Sequence, residues 1–383
     1  MTSGAKLRFA RQARGFSQQQ LAGMAGVSRQ AVSAVESGHA DPSLRVALAL
    51  AQALGMTVDE LFGAESTVQA VQARLVGDPG PVGARVTLAP IGDSLIALPL
   101  SAAAASRAGF LPAGGLLVDK KPKLLPRPAV KPVQITAEQE ASIRPIGPPR
   151  PTLVIAGCDP ALPLLEEPLS LLDPPIAFTW WPCSSREALR LAADGLVHVA
   201  GVHLRDRYGE YNTGSVAELL AGEVVGFSAW REGLVLAPAA AVGIAGVREM
   251  ASHGLRLVNR EHGAEARRVL DRELASAGID GEHLPGYRTT AAGHLQVADA
   301  IAAGLADAGV ACEPAALAYE LAFIPLTTER FDLVIPATHA AGREVQALVK
   351  VLSSRWLLDQ LTSLPGYDPS SCGQHIATLS SSP

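Results

Sequence analysis

The sequence predicts a multidomain chain with an all-α head of five helices, a small β-rich insert and an α/β body. Three observations carry this. The chain has 383 residues, more than one folding unit of roughly 100–200 residues uses. Its charge is unevenly spread: residues 1–62 hold six basic and four acidic side chains, a net of +2, and the rest carries −7 of the total −5. Beyond Pro151, short β-like runs alternate with amphipathic helical stretches, which is the pattern of α/β domains. The hydrophobic fraction of 48% against 18% charge supplies ample core and excludes disorder as the dominant state. With only 4% aromatics beside 36 Gly and 28 Pro, a turn-rich α/β body is favoured over an aromatic-rich sandwich.

In the head, residues 7–13 form a first helix. Ser17 stands at an N-cap with Gln20 three residues on, a capping-box pair, and Gly26 breaks the helix they open. Ser28 caps the next, 29–36, which turns Ala31, Val32 and Val35 inward and Arg29, Gln30 and Ser33 outward; Gly38 ends it. Residues 44–54 and 58–62 supply two more helices. Two short helices joined by a Gly-containing turn, the second exposing Arg, Gln and Ser at its start, make a helix-turn-helix reader.

The run Arg14-Gly15-Phe16-Ser17-Gln18-Gln19-Gln20-Leu21-Ala22, the run Val27-Ser28-Arg29-Gln30-Ala31-Val32-Ser33-Ala34-Val35-Glu36-Ser37-Gly38, and Pro42-Ser43-Leu44 together resemble the xenobiotic-response-element (Cro/C1-type) family of bacterial regulators. The resemblance implies that Gln18 and Ser28 touch phosphate while Arg29, Gln30 and Ser33 enter the major groove of double-stranded operator DNA. Arg suits guanine and Gln suits adenine as bidentate partners. A homodimer would place two such helices on half-sites one helical turn apart. Glu36 is expected to pair with Arg8 or Arg11 and to be structural.

The head spans 1–65 and the β-rich insert 66–119, with apolar runs at 85–89, 94–100 and 115–118. From 120 to 151, Pro122, Pro126, Pro128, Pro132, Pro145, Pro148, Pro149 and Pro151 accumulate. Repeated Pro removes backbone donors and favours extended geometry, so this stretch is expected to be a semi-rigid linker. The body spans 152–370, and 371–383 is expected to be a flexible tail.

Within the body, a strand at 152–156 runs into Gly157-Cys158-Asp159-Pro160-Ala161-Leu162. A second strand, 176–181, precedes Ser184 and Ser185 at the start of helix 186–193, and a third covers 196–200. Ligands of open α/β sheets bind at the carboxyl ends of the strands, and helix N-termini there favour anions. The Gly157-to-Leu162 stretch, His198-Val199-Ala200-Gly201-Val202-His203-Leu204, Gly209-Glu210-Tyr211-Asn212 and Val258-Asn259-Arg260 resemble the periplasmic-binding-protein-like domain of molybdate- or molybdopterin-related bacterial regulators. That resemblance implies two α/β lobes around a cleft. Asp159, Ser184, Ser185, Asn259, Arg260, Gly263, His294 and Tyr319 are the candidate ligand residues. The expected effector is a small molecule, such as molybdate, tungstate or a molybdenum-cofactor-related compound. One departure stands out: where such domains have a Gly-Ser-Gly-Thr-Arg type turn, this chain has Gly263-Ala264-Glu265-Ala266-Arg267. Glu265 is expected to face solvent or to pair with Arg267 or Arg260; otherwise this copy binds a guest other than molybdate.

The uncharged stretch 233–247 is short for a membrane span and contains Pro238. No apolar h-region follows the basic N-terminus, so a cytoplasmic location without membrane contact is expected. The four cysteines, Cys158, Cys183, Cys312 and Cys372, form no C-x-x-C pair, so no zinc ribbon is expected. No metal ligand, catalytic residue or resident cofactor is assigned. Cys183 beside Ser184 and His203 assembles no acid/base set, and the chain is not expected to be an enzyme. A ligand-responsive transcriptional regulator is the function this predicts. The alternatives are a body that has lost its ligand and serves dimerisation, or an enzyme on a binding-protein-like fold.

Overall fold

The computed structural model describes residues 3–62, 70–78, 80–100, 111–122, 139–205 and 209–380. They fall into two units, Met1–Gln69 and Ala70–Pro383.

The first unit is five helices: α1 Ser3–Ala13, α2 Gln18–Ala25, α3 Arg29–Glu36, α4 Leu44–Leu54 and α5 Val58–Phe62. Their ends are set locally. Ser17 and Gln20 complete a capping box at α2, and Ser28 and Ser43 cap α3 and α4 by accepting backbone N–H bonds. Gly26 at φ 64° and Gly55 at φ 61° close α2 and α4 in the left-handed conformation. Leu7, Leu21, Val32, Leu50, Leu54 and Leu61 meet in the core. Helix α1 begins before Leu7 because Gly4 lets it lie against the end of α3. A Cβ at Gly4 would sit 2.3 Å from the Val35 carbonyl oxygen.

The second unit opens with a closed barrel of five strands, β1 Val71–Leu75, β2 Arg85–Ile91, β3 Ser94–Pro99, β4 Gly115–Pro122 and β5 Gln139–Pro145, in the order β1-β3-β2-β4-β5. Ala73, Val86, Leu88, Leu117 and Ile143 fill it, and closure leaves no sheet edge exposed. The insert therefore extends further than the sequence suggests. Both flanks of the expected linker, up to Pro122 and from Gln139, are barrel strands, while its central part, 123–138, lies outside the described residues.

The body carries β6 Thr152–Gly157, β7 Ala177–Pro182, β8 Val199–Val202, β9 Gly222–Leu236, β10 Leu257–Arg260, β11 Thr290–Ala291, β12 Ala308–Cys312, β13 Ala322–Pro336, β14 Tyr367–Asp368 and β15 His375–Leu379. The strand order is β11-β10-β12-β9-β13-β8-β6-β7. At 15 residues each, β9 and β13 run antiparallel along almost their whole length. One end of the pair takes β8 on β13, and the other takes β12 on β9. The pair thus joins two α/β lobes, one built on β6, β7 and β8 and the other on β10, β11 and β12. Residues 322–336 form one continuous strand, β13. Bulges between Pro325 and Thr327 and between Phe331 and Asp332 carry its pairing past the Pro.

A further correction concerns the C-terminus. Within 371–383, expected to be a tail, β15 pairs with Gly222–Val225 of β9 and packs Ile376, Ala377 and Leu379 on the first lobe.

Candidate functional site

In the head, α3 has two unlike faces. Val32, Val35 and Glu36 are buried, whereas Ser28, Arg29, Gln30 and Ser33 are exposed. Ser28 Oγ accepts the Ala31 N–H at 3.1 Å, so its capping bond fixes the N-terminus of α3. Gln18, at the start of α2, is half-buried, and its Nε2 donates to Glu36 Oε2 at 2.9 Å. Glu36 also receives Arg11 through Nε at 2.6 Å and Nη2 at 3.0 Å. Of the two expected partners Arg11 makes the bidentate pair, with Arg8 Nε at 3.9 Å. Burial pushes the Glu36 carboxyl up, but the bonds from Arg11 and Gln18 and the two arginine charges outweigh it and hold it below the ordinary range. Glu36 therefore ties α1, α2 and α3 together behind the exposed face.

In the body, the carboxyl ends of the strands converge between the lobes. Asp159, after β6, is fully buried and fully engaged: Oδ1 accepts from the Ala161 N–H at 2.8 Å and the Tyr367 hydroxyl at 2.7 Å, and Oδ2 from Ser228 at 2.7 Å. It organises the turn and the strand pair and has no oxygen to spare. Ser185 Oγ accepts the His203 N–H at 3.0 Å and is likewise structural. Ser184 caps the helix Ser185–Ala193, and its hydroxyl lies 3.8 Å from where a Cβ on Gly263 would be. The structure thus brings Ser184 of the first lobe and the Gly263 turn of the second face to face.

Asn259 and Arg260, at the end of β10, are buried. Asn259 Oδ1 accepts the Arg260 N–H, and its Nδ2 donates to the Tyr287 carbonyl. Arg260 donates to both Glu261 oxygens at 2.9 and 3.1 Å. Glu265 neither faces solvent nor pairs with Arg267 or Arg260. It is fully buried and accepts from Arg268 and Arg272, each at 3.0 Å, because its place in the first turn of a helix puts it beside the residues three and seven further on. Tyr319 stands apart: it lines a cavity of about 1010 Å³, together with Leu88 and Leu98 of the barrel and Phe178, Trp180 and Leu295.

His294, at the start of helix His294–Ala302, belongs to a buried polar group between the lobes. Its Nδ1 accepts the Cys312 N–H at 3.1 Å. With that lone pair engaged, the neutral ring carries its proton on Nε2, which makes no hydrogen bond to protein. Burial and the Arg260 charge hold this imidazole well below its ordinary range. Around it stand His203, Cys158, Trp230, Glu232 and Glu329. His203 Nε2 lies 3.1 Å from Cys158 Sγ, and its Nδ1 lies 3.6 Å from Glu329 Oε2 and 4.0 Å from Glu232 Oε2. Burial pushes His203 down, but Cys158 and the two carboxylates outweigh it and raise its pKa well above the ordinary value. Burial drives Glu232 up to about 7.

Sequence reasoning missed Glu232, Glu329, Cys158 and Trp230 as a group. Glu232 and Glu329 lie inside long, mostly apolar strands that also carry Glu223 and Asp332, so neither stands out in the sequence. Their proximity depends on the pairing of β9 with β13, where Glu329 faces Trp230 and Glu232 faces Thr327.

Comparison with known proteins agrees with both halves of the chain. Residues 7–61 match the helix-turn-helix family model and residues 167–353 the PBP superfamily domain. The uncharacterized HTH-type transcriptional regulator MJ0272 of Methanocaldococcus jannaschii is 39% identical over 57 residues, 15% of this chain and 86% of that protein. The crystallised restriction-modification controller protein C.AhdI of Aeromonas hydrophila is 43% identical, over 16% of this chain and 91% of that one, at a TM-score of 0.15. The uncharacterized protein YvgK of Bacillus subtilis (strain 168) is 26% identical over 231 residues, 59% of this chain and 74% of that protein. By these family-model matches and the MJ0272 relative, the chain belongs to the Cro/C1-type helix-turn-helix family and carries a PBP superfamily domain C-terminal to its helix-turn-helix.

Proposed function

We propose that this chain is a ligand-responsive transcriptional regulator that reads operator DNA with α3 and senses a small effector between the lobes of its body. The observation that carries the reading is the division of α3: Arg29, Gln30 and Ser33 are exposed on a helix whose opposite face is locked into the core. Side chains free to reach base edges, on a helix held rigidly by capping and burial, are what major-groove recognition needs. Gln18 and Ser28 flank them as phosphate contacts. A homodimer would present two such helices to a two-fold operator.

For the effector, the group between the lobes supports a ligand other than a free oxyanion. All four oxygens of Glu232 and Glu329 are buried without a hydrogen bond, and a molybdate or tungstate placed there would meet two acidic side chains that offer it no donor, with His203 already beside them. Arg260, a second cation near the group, is engaged by Glu261. The body is read as a sensor because buried polar atoms left unsatisfied are costly unless something pairs with them.

The test of the reader is the double substitution Arg29→Ala, Gln30→Ala in the full chain. Both side chains are exposed, so the melting temperature should stay within about 1–2 °C, in keeping with the small effect of surface changes. Operator affinity should fall by more than roughly tenfold, given ~1–3 kcal/mol per bidentate base contact. Retained affinity and sequence preference in a mobility-shift titration would assign recognition to another surface.

A further inference from the structure

We infer that the floor of the inter-lobe cleft is a binding site for one divalent transition-metal ion, held by His203 Nδ1 and a carboxylate oxygen from each of Glu232 and Glu329. This rests on the sensing role proposed for the body and names the chemical class of what is bound there. The three ligand atoms lie within 4.8 Å of one another, with the imidazole nitrogen 3.6 and 4.0 Å from the two oxygens. Bonds of ~2.0–2.2 Å to a common ion put neighbouring ligand atoms ~3–4 Å apart, so these separations need little adjustment. The residues come from three places: Glu232 on β9, Glu329 on β13, and His203 in the loop after β8. A bound ion would tie the first lobe to both strands that join the lobes.

The surrounding hydrogen bonds select these atoms. Metal coordination through Nδ1 requires the proton on Nε2, and Cys158 Sγ is the acceptor at 3.1 Å that holds it there. In that tautomer the Nδ1 lone pair faces two carboxylates, an arrangement that a cation bound among them relieves. A proton on Nδ1 is the competing occupant, but the nearest oxygen is 3.6 Å away, beyond hydrogen-bond length, so it would give the carboxylates an ion pair without a hydrogen bond. A divalent ion neutralises both carboxylates at once. His294 is excluded as a ligand because its Nδ1 is committed to the Cys312 N–H and its Nε2 bears the proton. The unpartnered donors His294 Nε2–H and Trp230 Nε1–H nearby suit an oxygen ligand on the remaining coordination positions. One imidazole with two carboxylates is a set that zinc and manganese both accept.

The experiment uses the full chain, stripped with chelator and dialysed separately against Zn²⁺ and Mn²⁺, with metal counted by elemental analysis and heat stability followed in parallel. One ion per chain, with a rise in melting temperature, is expected for at least one of the two metals. The double variant Glu232→Gln, Glu329→Gln keeps the side-chain shapes and removes the buried charge, so its metal-free form should melt at or above the wild-type temperature. It should lose the bound ion and the metal-induced rise. Cys158→Ala should weaken binding by roughly 10–100-fold, as loss of an outer-shell partner does. Wild-type protein that takes up neither ion, or a double variant that binds as tightly as wild type, overturns the site. Operator binding measured on the same samples separates the two readings: a chain that binds DNA but no metal removes this inference alone. One that binds metal but no DNA removes the regulator.

Discussion

Glu36 shows how one residue of the head sets the conditions under which it holds. It sits behind the recognition face with Arg11 on two of its bonds and Gln18 on a third. Replacing it by Ala leaves the Arg11 guanidinium buried against α1 and α3 without its counter-charge. That should cost about 3 kcal/mol, the lower part of the range for a broken buried pair, because Arg11 keeps its bond to the Phe16 carbonyl. Hydrogen exchange of head amides in the full chain would measure it. The same contact gives a pH dependence with a definite sign. The folded carboxyl is depressed, so its contribution is complete above the ordinary Glu value of about 4.3. It is lost as pH falls through the lower folded value. Head amides should therefore exchange at a constant corrected rate around neutrality and faster below about pH 4, and Glu36→Ala should remove that acid-side acceleration.

The decisive elements are the paired strands β9 and β13 and what packs on them. Gly201 of β8 lies under Phe331 of β13 so closely that a Cβ would be 2.2 Å from the ring. Phe331 is fully buried and contacts Trp230 and His203 through ring centroids at 5.5 and 6.2 Å. Gly201→Ala must therefore push the ring toward the polar group between the lobes. We expect a loss of about 1–3 kcal/mol in body stability, the usual cost of overpacking, seen as a lower denaturation midpoint. Much of this layer was legible from composition and pattern. The N-caps at Ser17 and Ser28 and the strand at Thr152 follow from local chemistry, and the structure has them at those residues. Strand β15 was not legible, because its pairing with β9 joins residues about 150 apart in the chain and it is a run of only five residues, none fully buried.

For the molecule as a whole, regulation requires that an effector prefer one arrangement of the lobes, since a ligand that binds both equally shifts nothing. Coupling in such proteins is typically ~1–3 kcal/mol, or about 5–150-fold in affinity. Saturating the body should therefore change operator affinity by at least about fivefold, and operator DNA should change effector affinity by the same factor. Titrating each ligand in the presence of the other checks both directions, and unequal factors would show that the two sites are not linked through one equilibrium. Among the described residues no helix is long and apolar enough to cross a membrane.

What the sequence determined by itself was whatever depends on neighbours in the chain. Capping pairs, the amphipathic split of α3, the Arg-Gln-Ser set on its outer face and the alternation of the body are local matters of hydrogen bonding and periodicity. The tertiary structure alone decided which candidates are free to act. It consumed Asp159, Ser185 and Asn259 in internal hydrogen bonds, buried Glu265 against Arg268 and Arg272, and brought His203, Glu232 and Glu329 together from three distant segments. The reason is that hydrogen-bond satisfaction and charge pairing in a buried site depend on which strands lie side by side. For β9 and β13 that pairing links residues about 100 positions apart, far outside any window over which a sequence pattern can be read.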